Sequence, residues 1–354
     1  MIPSILSPKA LRTAGSRHPR AVSGLFVLGL LLAGAASPLA RAAAEEPGSA
    51  ASTKEEPKQV KIGAYVMSLY DLNANNNTFA ADFWLWAVHD KRYDIKPLKT
   101  MEPDNARSFA TSLDTTEEHD PVRYHAQKVR GVFSYNWNVE NFPFDRHELK
   151  ISLGEGQDEV SALTYTADGA NTGIEPSVEV EGWKIDAVKI QTGTHSFSST
   201  FGEPGSAPNS TYAQAVVSIF VSRRAMGLFF KLHSAVYIAF LIGMISFFLD
   251  TSKDGLFGGR ISLLVGMIFA TVLNTQRIAT ALGQTDAFTL PDKIHVLTLA
   301  ALLCALIGSL VSRRFHVRDQ AEHAYRVDWW MGAGLFVTYV AANIILIAHA
   351  AQAG

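Results

Sequence analysis

Cysteine is almost absent: the 354-residue chain has one, Cys304, set inside an apolar run. A single thiol excludes an intramolecular disulfide and a thiolate metal cluster, so any folded domain rests on its own hydrophobic core. Surplus charge is absent too. Lys and Arg number 31 against 33 Asp and Glu, a formal net charge of −2. That balance argues against a nucleic-acid partner. No nucleophile–base pairing, phosphate-cradling glycine loop or metal-ligand spacing stands out, so neither an enzyme nor a bound cofactor is expected.

Acidic residues are missing from positions 1–42. Lys9, Arg12, Arg17 and Arg20 precede the apolar stretch 21–36, and Ala40-Arg41-Ala42 follows it. A basic flank, an apolar core too short to span comfortably and a small-x-small end together predict a cleaved secretory signal over 1–42. Its removal takes 5 basic residues from the 31, leaving 26 against 33 acids. Residues 43–59, polar and rich in small side chains, read as a flexible leader.

What is present comes in two contrasting halves. Between 60 and 224, runs rich in β-branched and aromatic residues (60–70, 78–89, 128–136, 148–153, 160–166, 178–191, 212–221) alternate with Gly/Pro/Asn/Asp stretches. Short strands with frequent turns and no helical period predict an antiparallel β-sandwich. DLNANNN at 71–77 predicts a hairpin between the first two strands.

Residues 225–354 change character. Apolar stretches at about 227–249, 260–282, 292–313 and 329–350 predict four membrane helices. The second is broken by Asn274, Thr275, Gln276 and Arg277, a cluster suited to a helix facing water inside a bundle rather than lipid. With the N-terminal domain outside, Lys253, Arg260, Arg313, Arg314, Arg318 and Arg326 fall on the inner connections, and only Lys293 on the outer one. That bias follows the positive-inside rule.

Residues 135–149 read YNWNVENFPFDRHEL. This segment resembles the signature loop of the pentameric ligand-gated ion channels, the Cys-loop receptor superfamily, where two cysteines bracket an aromatic-Pro-aromatic-Asp core. Phe142-Pro143-Phe144-Asp145 occupies the place of that core, and Tyr135 and Leu149 stand at the cysteine positions, as in the prokaryotic branch. Signal, strand-rich domain and four helices in this order extend the likeness from Val60 to Ala350. The resemblance implies an all-β extracellular sandwich plus an all-α four-helix transmembrane bundle, assembled as a homopentamer around a central pore. It also implies a bacterial inner (cell) membrane setting, with the N-terminal domain and the C-terminus in the periplasm.

The resemblance further implies pairing of Asp145 with a basic residue at the end of the last strand, Arg223 before Arg224. It implies a coupling interface of Asp71, Leu72, Phe142, Pro143, Phe144, Asp145, Arg223, Arg224 and Pro291. The family's proline in the first membrane helix is absent; Ala235 stands near its place. The resemblance implies that the second helix lines the pore; Ser262, Gly266, Phe269, Leu273 and Gln276 recur on it at helical spacing, and by the same resemblance Phe269 and Leu273 are expected to form a gate that excludes water. Phe257-Gly258-Gly259-Arg260 matches neither the cation-selective nor the anion-selective pattern of the family. Asp250, Asp254 and Gly259 are the selectivity candidates, with cation passage expected.

Aromatic candidates for an agonist site are Trp84, Trp86, Phe133, Phe197, Phe201 and Tyr212, with Phe83 opposing Trp84 and Trp86. Residues 96–123 are hard to match to the family. Glu117, Glu118 and Asp120 form an acidic cluster able to attract Ca²⁺. His125, His147 and His233 are candidates for proton sensitivity. The expected partners are identical subunits, lipid, inorganic ions and a small-molecule, proton or Ca²⁺ agonist. The alternative is a non-conducting, membrane-anchored β-sandwich sensor.

Overall fold

A computed structural model of the chain describes residues 56–200, 202, 209–282 and 285–354. The expected signal, the leader up to residue 55, and Phe201 lie outside the described residues.

The first half folds as two sheets. Strands β1 (Lys58–Asn73), β2 (Thr78–Asp90), β4 (Ala106–His119), β5 (Val122–Ser134) and β7 (Leu163–Ala167) form one, in the order β4-β5-β2-β1-β7. The short β8 (Gly173–Ile174) pairs with β1. The second sheet orders β3 (Met101–Pro103), β6 (Arg146–Glu159), β10 (Ser210–Arg223) and β9 (Trp183–Phe197) as β3-β6-β10-β9. One helical turn, α1 (Pro97–Thr100), joins β2 to β3.

Alternation places the core. Val60, Ile62, Ala64 and Val66 of β1 are buried on one face, as are Ala213, Ala215, Val217, Ile219 and Val221 of β10. Phe83, Leu85 and Ala87 of β2 join them together with Leu149, Ile151 and Leu153 of β6. Each large apolar side chain so buried contributes on the order of 2 kcal/mol.

Several expected limits shift. β1 begins at Lys58, inside the segment read as leader. The strand expected over 178–191 starts only at Trp183, after the turn at Gly182 (φ 79°), and runs on to Phe197. The unassigned segment 96–123 holds a 14-residue strand, β4. β4 is an edge strand exposed along nearly its whole length, including Phe109 and Leu113, so no buried face imposes apolar alternation on its sequence.

Four helices follow: α2 (Ala225–Ile245, continued by a 3₁₀ turn to Phe248), α3 (Asp254–Leu282), α4 (Leu290–Val317) and α5 (Ala321–Ala353). All four are long and apolar enough to cross a bilayer, as expected of a multi-pass membrane protein. Each of α3, α4 and α5 overruns its apolar stretch because helical hydrogen bonding continues into polar flanks that hydropathy cannot mark. Thr289 and Asp292 close a reciprocal capping box at the start of α4, with Pro291 in its first turn. The strand domain and the helices belong to one unit, Lys54–Gly354.

Candidate functional site

The junction between sandwich and helices is built on a buried carboxylate. Asp145, at the foot of β6, receives Nε and Nη2 of Arg223 at 2.8 and 2.9 Å in a two-pronged pair. His147 lies 2.8 Å away through Nε2, and the backbone N–H of Arg223 donates to the Asp145 carbonyl at 3.2 Å. The guanidinium also stacks on Trp183 (4.0 Å) and Phe142 (4.8 Å). Burial alone would raise the Asp145 carboxyl. The bonds from His147 and Arg223 outweigh it and hold the group below the usual carboxylate range. Arg224 makes no such pair; its N–H donates to the Gly182 carbonyl at 2.8 Å, and it forms the sole link between β10 and α2.

The FPF loop straddles two cores. Phe142 is buried in the sandwich, whereas Phe144 packs with Phe229, Val236, Leu290 and Ile294 of the helices, its ring 5.7 Å from Phe229. The Leu290 N–H donates to the Glu140 carbonyl at 3.0 Å, and Lys293 reaches the Glu140 carboxylate at 3.4 Å. Pro291 is buried beside them. Leu72 packs against the sandwich core, and Asp71 sits at φ 48° in the β1–β2 hairpin. Ala74 and Asn77 of that hairpin share a cleft of about 500 Å³ with Trp137, Leu282 and Asp286. The expected coupling residues therefore lie at and around the ends of the helices nearest the sandwich.

α3 has two faces. Arg260, Leu264, Thr271, Asn274 and Ile278 are buried against the chain's own bundle. Ser262, Gly266, Phe269, Leu273 and Gln276 are all exposed on the opposite side; Phe269 is 65% and Leu273 63% accessible. Asn274 departs from expectation. It turns inward, where its amide donates to the Leu232 carbonyl at 3.1 Å and meets His295 Nε2 at 3.0 Å. Of the polar cluster that marked the helix, only Gln276 and Arg277 are exposed.

The end of the bundle far from the sandwich holds an ion pair that the sequence does not announce. Arg260 is fully buried and donates to Asp328 Oδ1 at 2.9 Å, to Ser309 Oγ at 2.8 Å and to the Leu249 carbonyl at 3.4 Å. Ser312 donates to the other oxygen of Asp328 at 2.9 Å, and the guanidinium lies 4.6 Å from the Phe247 ring. Its only signal in the sequence is two opposite charges at the edges of apolar segments, each of which needs a partner if it is drawn inside. Asp254 is exposed and bound by Arg313, which also donates to the Thr251 and Ser252 carbonyls. Asp250 accepts from the Ser252 N–H and hydroxyl at 2.8 and 2.7 Å. Gly259 is exposed, with open space where a side chain would stand.

The described aromatic candidates fall in separate places of the sandwich rather than at one site. Phe133 is wholly buried against Phe79 and Phe83, which makes it a core residue rather than a lining one. Trp84 and Trp86 lie on the opposite face of β2 from Phe83, and Trp86 Nε1 donates to Asp168 at 3.1 Å. Phe197 and Tyr212 pair at 6.0 Å across β9 and β10, in the other sheet. The acidic cluster is already occupied by protein cations: Glu118 pairs with Lys91 (3.3 Å) and Arg123 (3.0 Å), and Asp120 with Lys91 (3.4 Å). Glu117 pairs with His119 at 3.1 Å. Among the described residues no three His, Cys, Asp or Glu side chains are grouped to hold a metal.

The three candidate histidines, His125, His147 and His233, are all buried. His125 stacks on His89 with Nε2 to Nε2 at 3.0 Å and meets Thr116 Oγ1 at 2.9 Å. Burial, then the neighbouring His89, pushes His125 below its ordinary value. His233 contacts the Phe229 carbonyl through Nδ1 at 2.9 Å, and its Nε2 has no partner among the described residues. Compared with known proteins, the chain matches no family model and no curated protein.

Proposed function

We propose that the chain is one subunit of an ion channel of the pentameric ligand-gated kind, with α3 from each of five identical copies lining a shared aqueous path. The observation that carries this proposal is the division of α3. One side packs into the chain's own bundle, while Ser262, Gly266 and Gln276 share the unpartnered side with Phe269 and Leu273, and Arg277 is exposed at its edge. A helix that merely anchors has no use for polar and charged groups at that depth; one facing a water column does. Phe269 and Leu273 supply the apolar rings able to close such a column by dewetting.

The junction supports the same proposal. Asp145–Arg223, the FPF loop and the Glu140–Leu290 contact give a signal in the outer domain a packed route to α2 and α4. The agonist, a small molecule, a proton or a divalent ion, acts on the sandwich. The natural setting is a bacterial inner membrane with the sandwich on the periplasmic side.

The test is chemical accessibility. Single cysteines at positions 262, 269 and 276 on a Cys304→Ser background, in the reconstituted full chain, should react with a charged, water-soluble thiol reagent. Reaction with lipid-soluble reagents alone, together with a monomeric mass in native mass spectrometry, would favour the anchored, non-conducting sensor instead.

A further inference from the structure

α3 carries three charged residues, Asp254, Arg260 and Arg277. The structure disposes of two of them. Asp254 is bound by Arg313, and Arg260 is buried against Asp328. The neighbouring carboxylate, Asp250, opens into a groove between α2 and α5 lined by Leu241, Phe248 and Trp329. No wall of that groove comes from α3, so Asp250 faces away from the helix's free side.

Arg277 differs from all of these. It is exposed, it makes no hydrogen bond or ion pair among the described residues, and it stands at the edge of the free face nearest α2, about 100° round the helix from Gln276. A cleft between α2 and α3 holds it together with Lys231, which is likewise exposed and without a carboxylate partner among the described residues. Two nearby acids are committed elsewhere: Asp292 closes the α4 cap and Glu140 pairs with Lys293. Asp286, exposed, lies beyond the end of α3 in the cleft under the β1–β2 hairpin rather than on the helix. The outer end of the free face is therefore cationic, and no carboxylate balances it along the helix.

We infer that the path lined by α3 favours anions, and that Arg277 is the residue that sets this preference. The inference rests on the channel proposal above, and it reverses the cation passage expected from Asp250 and Asp254. Five copies of an unpaired guanidinium around one axis raise the local anion concentration and lower that of cations, the effect charged rings have at other pore mouths. With each charge some 8 Å from a permeating ion and screened over a similar length, the ring favours chloride about fivefold and disfavours potassium about fivefold, so the chloride-to-potassium permeability ratio changes by about 25-fold.

The experiment is the reversal potential of the reconstituted full chain under a tenfold KCl gradient, for the wild type and on a Phe269→Ala background that favours opening. Arg277→Gln and Arg277→Glu are compared on the same background. Arg277 is exposed, so size-exclusion profiles of the variants should match the parent. The expected result is reversal on the chloride side, with a roughly 25-fold lower permeability ratio for Arg277→Gln and a further fall for Arg277→Glu. Reversal on the potassium side, or a value that Arg277→Glu leaves in place, would overturn the assignment while leaving the channel proposal standing. Absence of current from both the wild type and Phe269→Ala would remove the channel proposal itself, and this inference with it.

Discussion

Replacing Asp328 with Asn removes one charge and almost nothing else. The acceptor oxygen facing Arg260 stays, the volume is unchanged, and Ser312 keeps a partner. What disappears is the counter-charge of a guanidinium whose side chain is 0% exposed. Two neutral acceptors, Ser309 Oγ and the Leu249 carbonyl, and the face of Phe247 remain. Each neutral hydrogen bond offsets only about 1 kcal/mol, whereas an uncompensated buried charge costs about 3–5 kcal/mol. Asp328→Asn should therefore lose about 3 kcal/mol. Arg260→Met should lose less, because Asp328 keeps 15% of its side chain in solvent and the Ser312 hydroxyl as donor. Arg260→Met with Asp328→Leu should fall within about 1 kcal/mol of wild type, since a packed apolar pair replaces an ionic one at little net cost. Equilibrium unfolding of the full chain in mixed detergent micelles, followed by tryptophan fluorescence and including the single Asp328→Leu variant, gives all four corners of the Arg260→Met, Asp328→Leu cycle. A coupling energy of at least about 2 kcal/mol is expected between residues in direct contact. Additive losses, or an Asp328→Asn cost below about 0.5 kcal/mol, would refute the idea that this pair ties the inner end of α3 to α5.

Phe269→Ala should raise spontaneous opening at least about tenfold, some 1.4 kcal/mol off the closed state, in single-channel records; a more tightly closed variant would count against Phe269 as a gate. Asp145→Asn should lower stability by about 3 kcal/mol and impair gating or assembly, because Arg223 loses its buried counter-ion. Since the folded Asp145 carboxyl lies below its ordinary value, its contribution is present above about pH 4 and lost as pH falls through the lowered folded value. Melting curves of wild type and Asp145→Asn should accordingly converge in acid, and parallel curves would discard the pairing. His125 has the opposite chemistry and the same sign. Burial lowers its folded value, so the unfolded chain binds more protons, and stability is full above about pH 6.5 and declines below it. His125→Gln should flatten that decline between about pH 6.5 and 5 in thermal melts; an unchanged slope would remove His125 as its source.

What could be read directly from the residues was whatever a buried face imposes on them. Phe83 turned inward with Trp84 and Trp86 outward follows from strand alternation, and the four apolar helices follow from hydropathy. β4 escaped because nothing buries it, so no pattern marks ARSFATSLDTTEEH as a strand; only its pairing with β5 does. Phe133 looked like a candidate lining residue because an aromatic on a strand carries no label of which face it takes. The direction of Asn274 was hidden for a related reason, since its partners Leu232 and His295 come from two other helices. The Arg260–Asp328 pair joins residues 68 apart, and Arg260 had passed for an ordinary inner-side positive charge.

The single residue between β10 and α2 has a mechanical consequence. A tether of several residues would let the outer domain rock while the helices stayed still. Here strand hydrogen bonds end at Arg223 and helical ones begin at Ala225, with Arg224 pinned to Gly182. The connection works as a stiff pushrod: an ångström of travel along β10 arrives at the head of α2 without slack to absorb it. A short Gly-Ser spacer inserted after Arg224 should leave both halves folded and disconnect them.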